Sequence, residues 1–241
     1  MCTVTIVPKG NDDFILTSNR DEAPNRVATL PDFYVEGTVK MLFPKDELSE
    51  GTWIGVSNKE RLVCVLNGGF IMHQRELNYR KSRGVVAKDF MAFNNLEQEV
   101  VSYNFNNIEP FTMVIVDWNL NLRFFELVWD GQKSHFTKLP LKPKIWSSST
   151  LYSQAMMQER TGWFEVFKTK NVLNQDSILQ FHKTAGKDNN DYGVVMNRGF
   201  VKTTSITQVS KTNTKVEMLY ENIHQKKVSH KTFYMLKTIN D

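Results

Sequence analysis

Cysteine is nearly missing from this chain, with two among 241 residues, Cys2 and Cys64. A disulfide-stapled scaffold is thereby excluded, and because the first residues lack the basic-then-apolar layout of an export signal, both thiols are expected to be free in a reducing, cytoplasmic setting. There is no apolar run of about 18 residues, so no membrane span is expected. No stretch rich in glycine, serine or proline divides the chain, which predicts one domain over residues 1–241. Charge of one sign is scarce too: 30 Lys+Arg against 26 Asp+Glu leave +4, part of it in "HQKKVSHK". No basic stripe is interleaved with aromatics, so a small molecule is a better expected partner than nucleic acid. "H-E-x-x-H", paired "C-x-x-C", "C-x-x-C-H" and a glycine loop ending in "GK[ST]" are all missing. Neither a metal centre nor a resident cofactor is expected.

What is present is a globular composition, 41% hydrophobic with sixteen Phe, seven Tyr and five Trp. "CTVTIVP" and "FILTSN" alternate as strands, and the Asn-Asp pair between them suits a tight hairpin turn. The polar, proline-containing stretch "RDEAPNRVATLPDF" is expected to cross the surface as a loop. "GTWIGVSN" with "RLVCVLNGG", "FTMVIVDWN" with "LRFFELVWDG", "SHFTKL", "VKTTSITQVSK" and "KVEMLYEN" bring the count to about ten strands. Helices are expected within 80–101, over 151–167 with an interruption at Gly162, and over 172–182. Helical zones arrive as blocks between groups of strands, which predicts an α+β fold of antiparallel sheets covered by helices rather than a βαβ repeat. Cys64, inside "RLVCVLN", is expected to be a buried small hydrophobe.

Cys2 calls for a different account. Were Met1 removed, residue 2 would carry a thiol and a free α-amine, whose reference pKa of about 7.7 to 8.0 leaves part of it able to accept a proton near neutrality. Nucleophile and base would then share one residue. The second strand of the opening hairpin brings "TSNRDE" back toward the start of the first, so Asp21 is a candidate to hold the amine and Arg20 a candidate to favour thiolate. Alternation along a strand sends these two side chains to opposite faces unless a bulge or the strand's end turns one of them. Asn67, with Gly68 and Gly69 behind it, offers amide donors and a flexible backbone for an oxyanion.

The motifs "MCTVT", "NRDE" at residues 19–22, Arg26, "GTWIGV" at 51–56 and "LNGG" at 66–69, in that order, resemble the NRDE family, also called the transport and Golgi organisation protein 2 family. That family is similar to the N-terminal nucleophile hydrolases, which implies a four-layer αββα sandwich. Its enzyme relatives include cysteine-type bile-salt and penicillin V acylases and acid ceramidase. Carried onto this chain, the resemblance implies Cys2 as nucleophile, Asp21 as its partner and Asn67 as oxyanion donor. The acylases place their arginine where this chain has Ser18, so Arg20 enters from another register. A second asparagine of the family falls in "WSSSTLYS", where Ser149 takes its place with one donor instead of two. Lys202 and Arg198 are the candidates for a late arginine. The expected activity is hydrolysis of a non-peptide C–N bond in a linear amide, or of a thioester, through an acyl group on Cys2. The alternative implied is a non-catalytic binding or trafficking protein for haem, lipid or acyl-coenzyme A, haem being held by Cys2 or by one of His73, His135, His182, His224 and His230. Homodimerisation is left open.

Overall fold

The computed structural model describes residues 3–235, so the expectations placed on Met1 and Cys2 lie outside the described residues. Among the described residues thirteen strands form two antiparallel sheets. The first sheet contains β1 (Thr3–Lys9), β2 (Asp13–Glu22), β10 (Lys144–Ser147), β11 (Lys202–Thr212), β12 (Lys215–Asn222) and β13 (Lys227–Tyr234), in the order β10-β1-β2-β11-β12-β13. The second runs in chain order through β3 (Asp32–Glu36), β4 (Val39–Phe43), β5 (Ile54–Ser57), β6 (Arg61–Asn67), β7 (Phe111–Asp117), β8 (Arg123–Trp129) and β9 (Ser134–Leu139).

Three apolar cores stack these elements into four layers. Val4, Ile6 and Leu16 of the first sheet meet Leu62, Cys64, Val114 and Val116 of the second. Helix α1 (Arg83–Ala92) buries Val86, Ala87, Phe90 and Met91 against the outer face of the second sheet, and Leu96 and Val100 of α2 (Leu96–Ser102) extend that cluster. Phe164 of α3 (Gln154–Lys170) and Ile178 and Phe181 of α4 (Gln175–Thr184) pack on Val7, Ile15 and Ile145 of the first. Each such large side chain contributes about 1.5–3 kcal/mol by leaving water. The result is the expected αββα sandwich.

Local signals explain the helix boundaries. Ser82, Asn95, Ser153 and Asn174 cap the four helices, each accepting a hydrogen bond from a backbone N–H in the first turn. Gly162 does not interrupt α3, which runs unbroken through it because packing outweighs the roughly 1 kcal/mol propensity cost. The expected loop after the opening hairpin is shorter than predicted: β2 continues to Glu22, held by β11, and β3 begins at Asp32.

Candidate active site

In β1 the alternation of side chains has a chemical logic. Val4 and Ile6 enter the core between the sheets, whereas Thr3 and Thr5 face the helices α3 and α4. Thr3 Oγ1 accepts a hydrogen bond from Arg160 Nη1 at 2.8 Å, and Thr5 Oγ1 lies 2.7 Å from His182 Nε2. Arg160 also donates to Ser147 Oγ, at 3.2 Å, and to the carbonyls of Tyr192 and Gly193, both at 2.9 Å. One fully buried guanidinium thus ties α3 to the start of β1, the end of β10 and the loop after α4.

His182 is fixed by Asn19, whose amide nitrogen donates to the carbonyls of His182 and Val194 at 3.0 and 2.6 Å. That leaves Asn19 Oδ1 as acceptor, so His182 Nδ1 carries the proton and Nε2 accepts from Thr5. Burial, with the charge of Arg160 adding to it, pushes the imidazole pKa down to about 3. Asn19 and His182 therefore form a neutral, satisfied clasp, and neither ring nitrogen is open to a haem iron. His73 faces Glu109 at 3.5 Å and His135 faces Asp130 at 2.7 Å. Among the described residues no three His, Cys, Asp or Glu side chains are grouped as a metal site.

Thr3 pairs with Asn19 on one side and Ser147 on the other, and β2 runs on past this point along β11. Two residues beyond Asn19 stands Asp21, on the same face and 2% exposed. Its Oδ2 accepts from Tyr152 Oη at 2.6 Å and its Oδ1 from Thr203 Oγ1 at 2.6 Å. The Tyr152 ring is covered by the Arg160 guanidinium 3.7 Å from its centroid, with that of Arg198 at 5.4 Å. Tyr152, Thr203 and Arg160 escaped the sequence reading, although Tyr152 lies in the "WSSSTLYS" segment singled out there.

Arg20 leaves β2 on the opposite face. Its guanidinium lies 4.6 Å over the Trp53 ring and donates to Asp46 Oδ2 at 2.7 Å and the Arg26 carbonyl at 3.2 Å. The bulge is in the neighbouring strand, between Thr203 and Ser205, and β2 keeps its alternation. Arg26 shares Asp46, with Nε 2.8 Å from the same oxygen. Burial works to raise the Asp46 pKa, yet the Arg26 hydrogen bond, the Ser49 N–H and the two guanidinium charges together hold it below the usual carboxylate range. Arg20, Asp46 and Arg26 thus form a largely self-contained charge cluster between the sheets.

Asn67 ends β6, and its carbonyl accepts from Ser148 Oγ at 2.7 Å, which brings this corner of the second sheet against the end of β10. Gly68 follows with φ +85°, and a Cβ there would lie 2.3 Å from Ser149 Oγ. Only glycine permits both that dihedral and that approach. Ser149 is 8% exposed, and its hydroxyl donates to the Ile71 carbonyl at 3.4 Å. The structure therefore brings Asn67 and Ser149 together across Gly68, puts Asp21 just past the pairing partner of Thr3, and turns Arg20 toward Asp46. Of the two late cations, Arg198 reaches the ring of Tyr152, and Lys202 pairs with Glu22 in the ladder. Cys64 is fully buried, and burial pushes its thiol up to about 12 despite a hydrogen bond with Ser18.

A cavity of about 340 Å³ opens beside this corner, lined among others by Arg20, Trp53, Asn67, Arg75, Arg83 and Glu109. The sequence matches the family model described as Transport and Golgi organisation 2 over residues 1–236. The chain belongs to that family. No curated protein matches it. Solved structures similar to this Transport and Golgi organisation 2 family member include a conjugated bile acid hydrolase from Clostridium perfringens, with TM-score 0.60 and 10% identity over 100% of this chain and 99% of that one. An N-acylethanolamine-hydrolyzing acid amidase orthologue from Caenorhabditis elegans has TM-score 0.57 and 12% identity, covering 86% of this chain and 92% of its own. Penicillin V acylase from Agrobacterium tumefaciens has TM-score 0.53 and 10% identity, over 95% and 85%. At such identities the likeness is one of fold: this family member has the N-terminal nucleophile hydrolase-like sandwich. Among its described residues no helix is long and apolar enough to cross a membrane.

Proposed function

We propose that this chain is an N-terminal cysteine hydrolase that cleaves a non-peptide C–N bond of a linear amide, or a thioester, through an acyl group on Cys2. The observation that carries the reading is the convergence of three segments on the start of β1: Asp21 just beyond its β2 partner, Ser147–Ser149 on its other flank, and Asn67–Gly68 packed against the latter. The Cα of residue 2 is about 3.8 Å from that of Thr3 by covalent geometry alone, which supports a reaction at its sulfur near these groups.

In the proposed sequence Met1 is removed, the α-amine of Cys2 takes the thiol proton, and sulfur attacks the substrate carbonyl carbon. Asp21, held by Tyr152 and Thr203, orients the amine. The Asn67 amide and neighbouring backbone N–H groups stabilise the oxyanion, a single such donor being worth roughly 3–4 kcal/mol. The C–N bond then breaks, the leaving nitrogen receives the proton from the α-ammonium, and water attacks the thioester with the amine again as base. The products are a carboxylic acid, an amine and the restored thiol.

A second reading, a binding protein on the same fold, is favoured by two particulars. Arg20 spends its charge on Asp46, and Ser149 points its hydroxyl at a carbonyl. Intact-mass analysis combined with a screen of acyl amides and thioesters separates the two readings. Loss of Met1 and an acyl adduct that disappears in Cys2→Ala supports hydrolysis. Retained Met1, or tight ligand binding without adduct or product, overturns it in favour of the binding reading.

A further inference from the structure

We infer that the cavity beside Asn67 holds a phosphate-class oxyanion carried by the substrate, gripped by Arg83 and Arg75 beside the first turn of α1. Only the assignment of this oxyanion to a substrate rests on the hydrolase reading; the anion site stands on the cavity itself.

Charge pairing around the cavity is uneven. Arg20 and Arg26 are answered by Asp46 and Glu22, at 2.7 to 3.4 Å. Lys81 is answered by Asp89 at 2.6 Å. What remains is Glu109, the one carboxylate that pairs within 4 Å among the described residues with Arg83, at 3.2 Å, Arg75, at 3.9 Å, and His73, at 3.5 Å. Two guanidiniums share a single negative charge, an excess of one even with His73 neutral. The first turn of α1 contributes more of the same sign: Ser82, Arg83 and Gly84 line the cavity, and that turn contains no acidic residue. A helix N-terminus acts as roughly half a positive charge. The sum, about +1.5, matches the roughly −1.5 to −2 of a phosphate monoester near neutrality.

Two further features mark the cavity wall. Trp53 lines the same cavity, is 6% exposed, and its indole N–H has no hydrogen-bond partner among the described residues. Such an orphan is uncommon in a finished interior. Arg83 is held below the usual arginine range by burial, against the opposing pull of Glu109 and Glu22, with the charges of Arg75 and Arg26 adding to the lowering. An anion bound there offsets the cost of burying that guanidinium. Asn67 lines the cavity as well, so a substrate with its oxyanion in this site would lie with its carbonyl directed to the start of β1.

The test is titration of the full chain with inorganic phosphate, followed by phosphorus NMR, in the natural sequence and in Cys2→Ala. Arg83→Gln should weaken binding about tenfold, the equivalent of one charge-assisted hydrogen bond. Arg75 is exposed enough to be replaced without disturbing packing, and Arg75→Gln should weaken binding severalfold, an effect that shrinks with added salt. Glu109→Gln should tighten it. Acetate, with one charge, should bind about tenfold more weakly than phosphate. Phosphate affinity unchanged in both arginine variants, or acetate bound as tightly as phosphate, overturns the inference. If Cys2→Ala binds phosphate in this pattern while the natural chain turns over no amide or thioester, the hydrolase reading falls and the anion site stands. Turnover without phosphate binding has the opposite meaning.

Discussion

Tyr152 Oη donates to Asp21 Oδ2 at 2.6 Å although the two residues are 131 positions apart. Tyr152 is 1% exposed and its ring is pinned under Arg160, which holds the hydroxyl in place. With Thr203 on the other oxygen, the carboxylate of Asp21 is held in one orientation at the end of the strand pair. Tyr152→Phe removes this donor and little volume. A hydrogen bond to a charged group contributes about 1.5–3 kcal/mol, and urea denaturation should register a loss of that order. Formation of the acyl adduct should slow about tenfold or more, read by time-resolved intact mass. An undiminished adduct rate would detach Tyr152 from the positioning of Asp21.

Arg160 is the second structural wager. Its guanidinium supplies hydrogen bonds to Thr3, Ser147, Tyr192 and Gly193 from a fully buried position. Arg160→Met retains the apolar stem but strands several acceptors, each costing about 1–3 kcal/mol when left unsatisfied. The expected result is a large fall in melting temperature together with greater proteolytic sensitivity of the loop over 185–201. Wild-type stability in this variant would mean that water replaces the guanidinium without cost.

Acid sensitivity should come from His182. Its folded pKa, about 3, lies below the ordinary histidine value of 6.5, so between those limits the unfolded chain binds more protons than the folded one. Stability is therefore complete above pH 6.5 and declines as pH falls, by at most about 1.4 kcal/mol per unit for this one group. Asp46, whose folded pKa is depressed, adds its own loss only at lower pH, as its carboxylate protonates below the unfolded value. Denaturation midpoints measured from pH 7.5 to 4.5 should slope in the natural chain and flatten in His182→Gln. Parallel slopes would assign the acid sensitivity elsewhere.

The parts of this molecule that the sequence announces are those whose signals are local. The alternation of "CTVTIVP" and "FILTSN" produced the β1–β2 hairpin and the return of Asp21 toward the chain's beginning, and helical spacing produced α1, α3 and α4. Four strands left no such mark. β3 and β4 are five residues each around a turn at Gly37, and the exposed face of β3 has no apolar alternation to detect. β10 is four residues long and exists because β1 offers it an edge. β13, "KVSHKTFY", is a polar and basic strand because it closes a sheet edge that must resist pairing with other chains. At the candidate site, the position of Asp21 near the start of β1 follows from the register of the opening hairpin, and that of Asn67 from the end of the "RLVCVLN" strand. Tyr152, Thr203, Asp46 and Arg83 were not readable in this way, since each acts through a partner distant in sequence, and only folding sets that distance.

Cys64 should be chemically silent. It is fully exposed to hydrocarbon and not to water, and its thiol, pushed up to about 12, is protonated at any physiological pH. Iodoacetamide applied to the folded chain should leave the Cys64 peptide unmodified until denaturant is added. Rapid native labelling there would indicate an opening of the inter-sheet core.

Gly68 offers the most direct test of the corner that joins the two sheets. Its φ of +85° is unfavourable for any residue with a Cβ, by about 1–2 kcal/mol, and the Cβ would sit 2.3 Å from Ser149 Oγ and 2.8 Å from Thr150 Cγ2. Gly68→Ala therefore meets two penalties at once, one in the backbone and one in packing. Removing the Ser149 hydroxyl relieves only part of the second, since the Thr150 Cγ2 contact remains. Gly68→Ala should lower stability by more than the dihedral cost alone, and the double variant with Ser149→Ala should recover part of the difference. That non-additivity is the signature of direct contact. Strictly additive losses would mean that the loop over 148–150 moves away from Gly68 in solution, and the hydrogen bond from Ser148 to the Asn67 carbonyl at the candidate site would be lost with it.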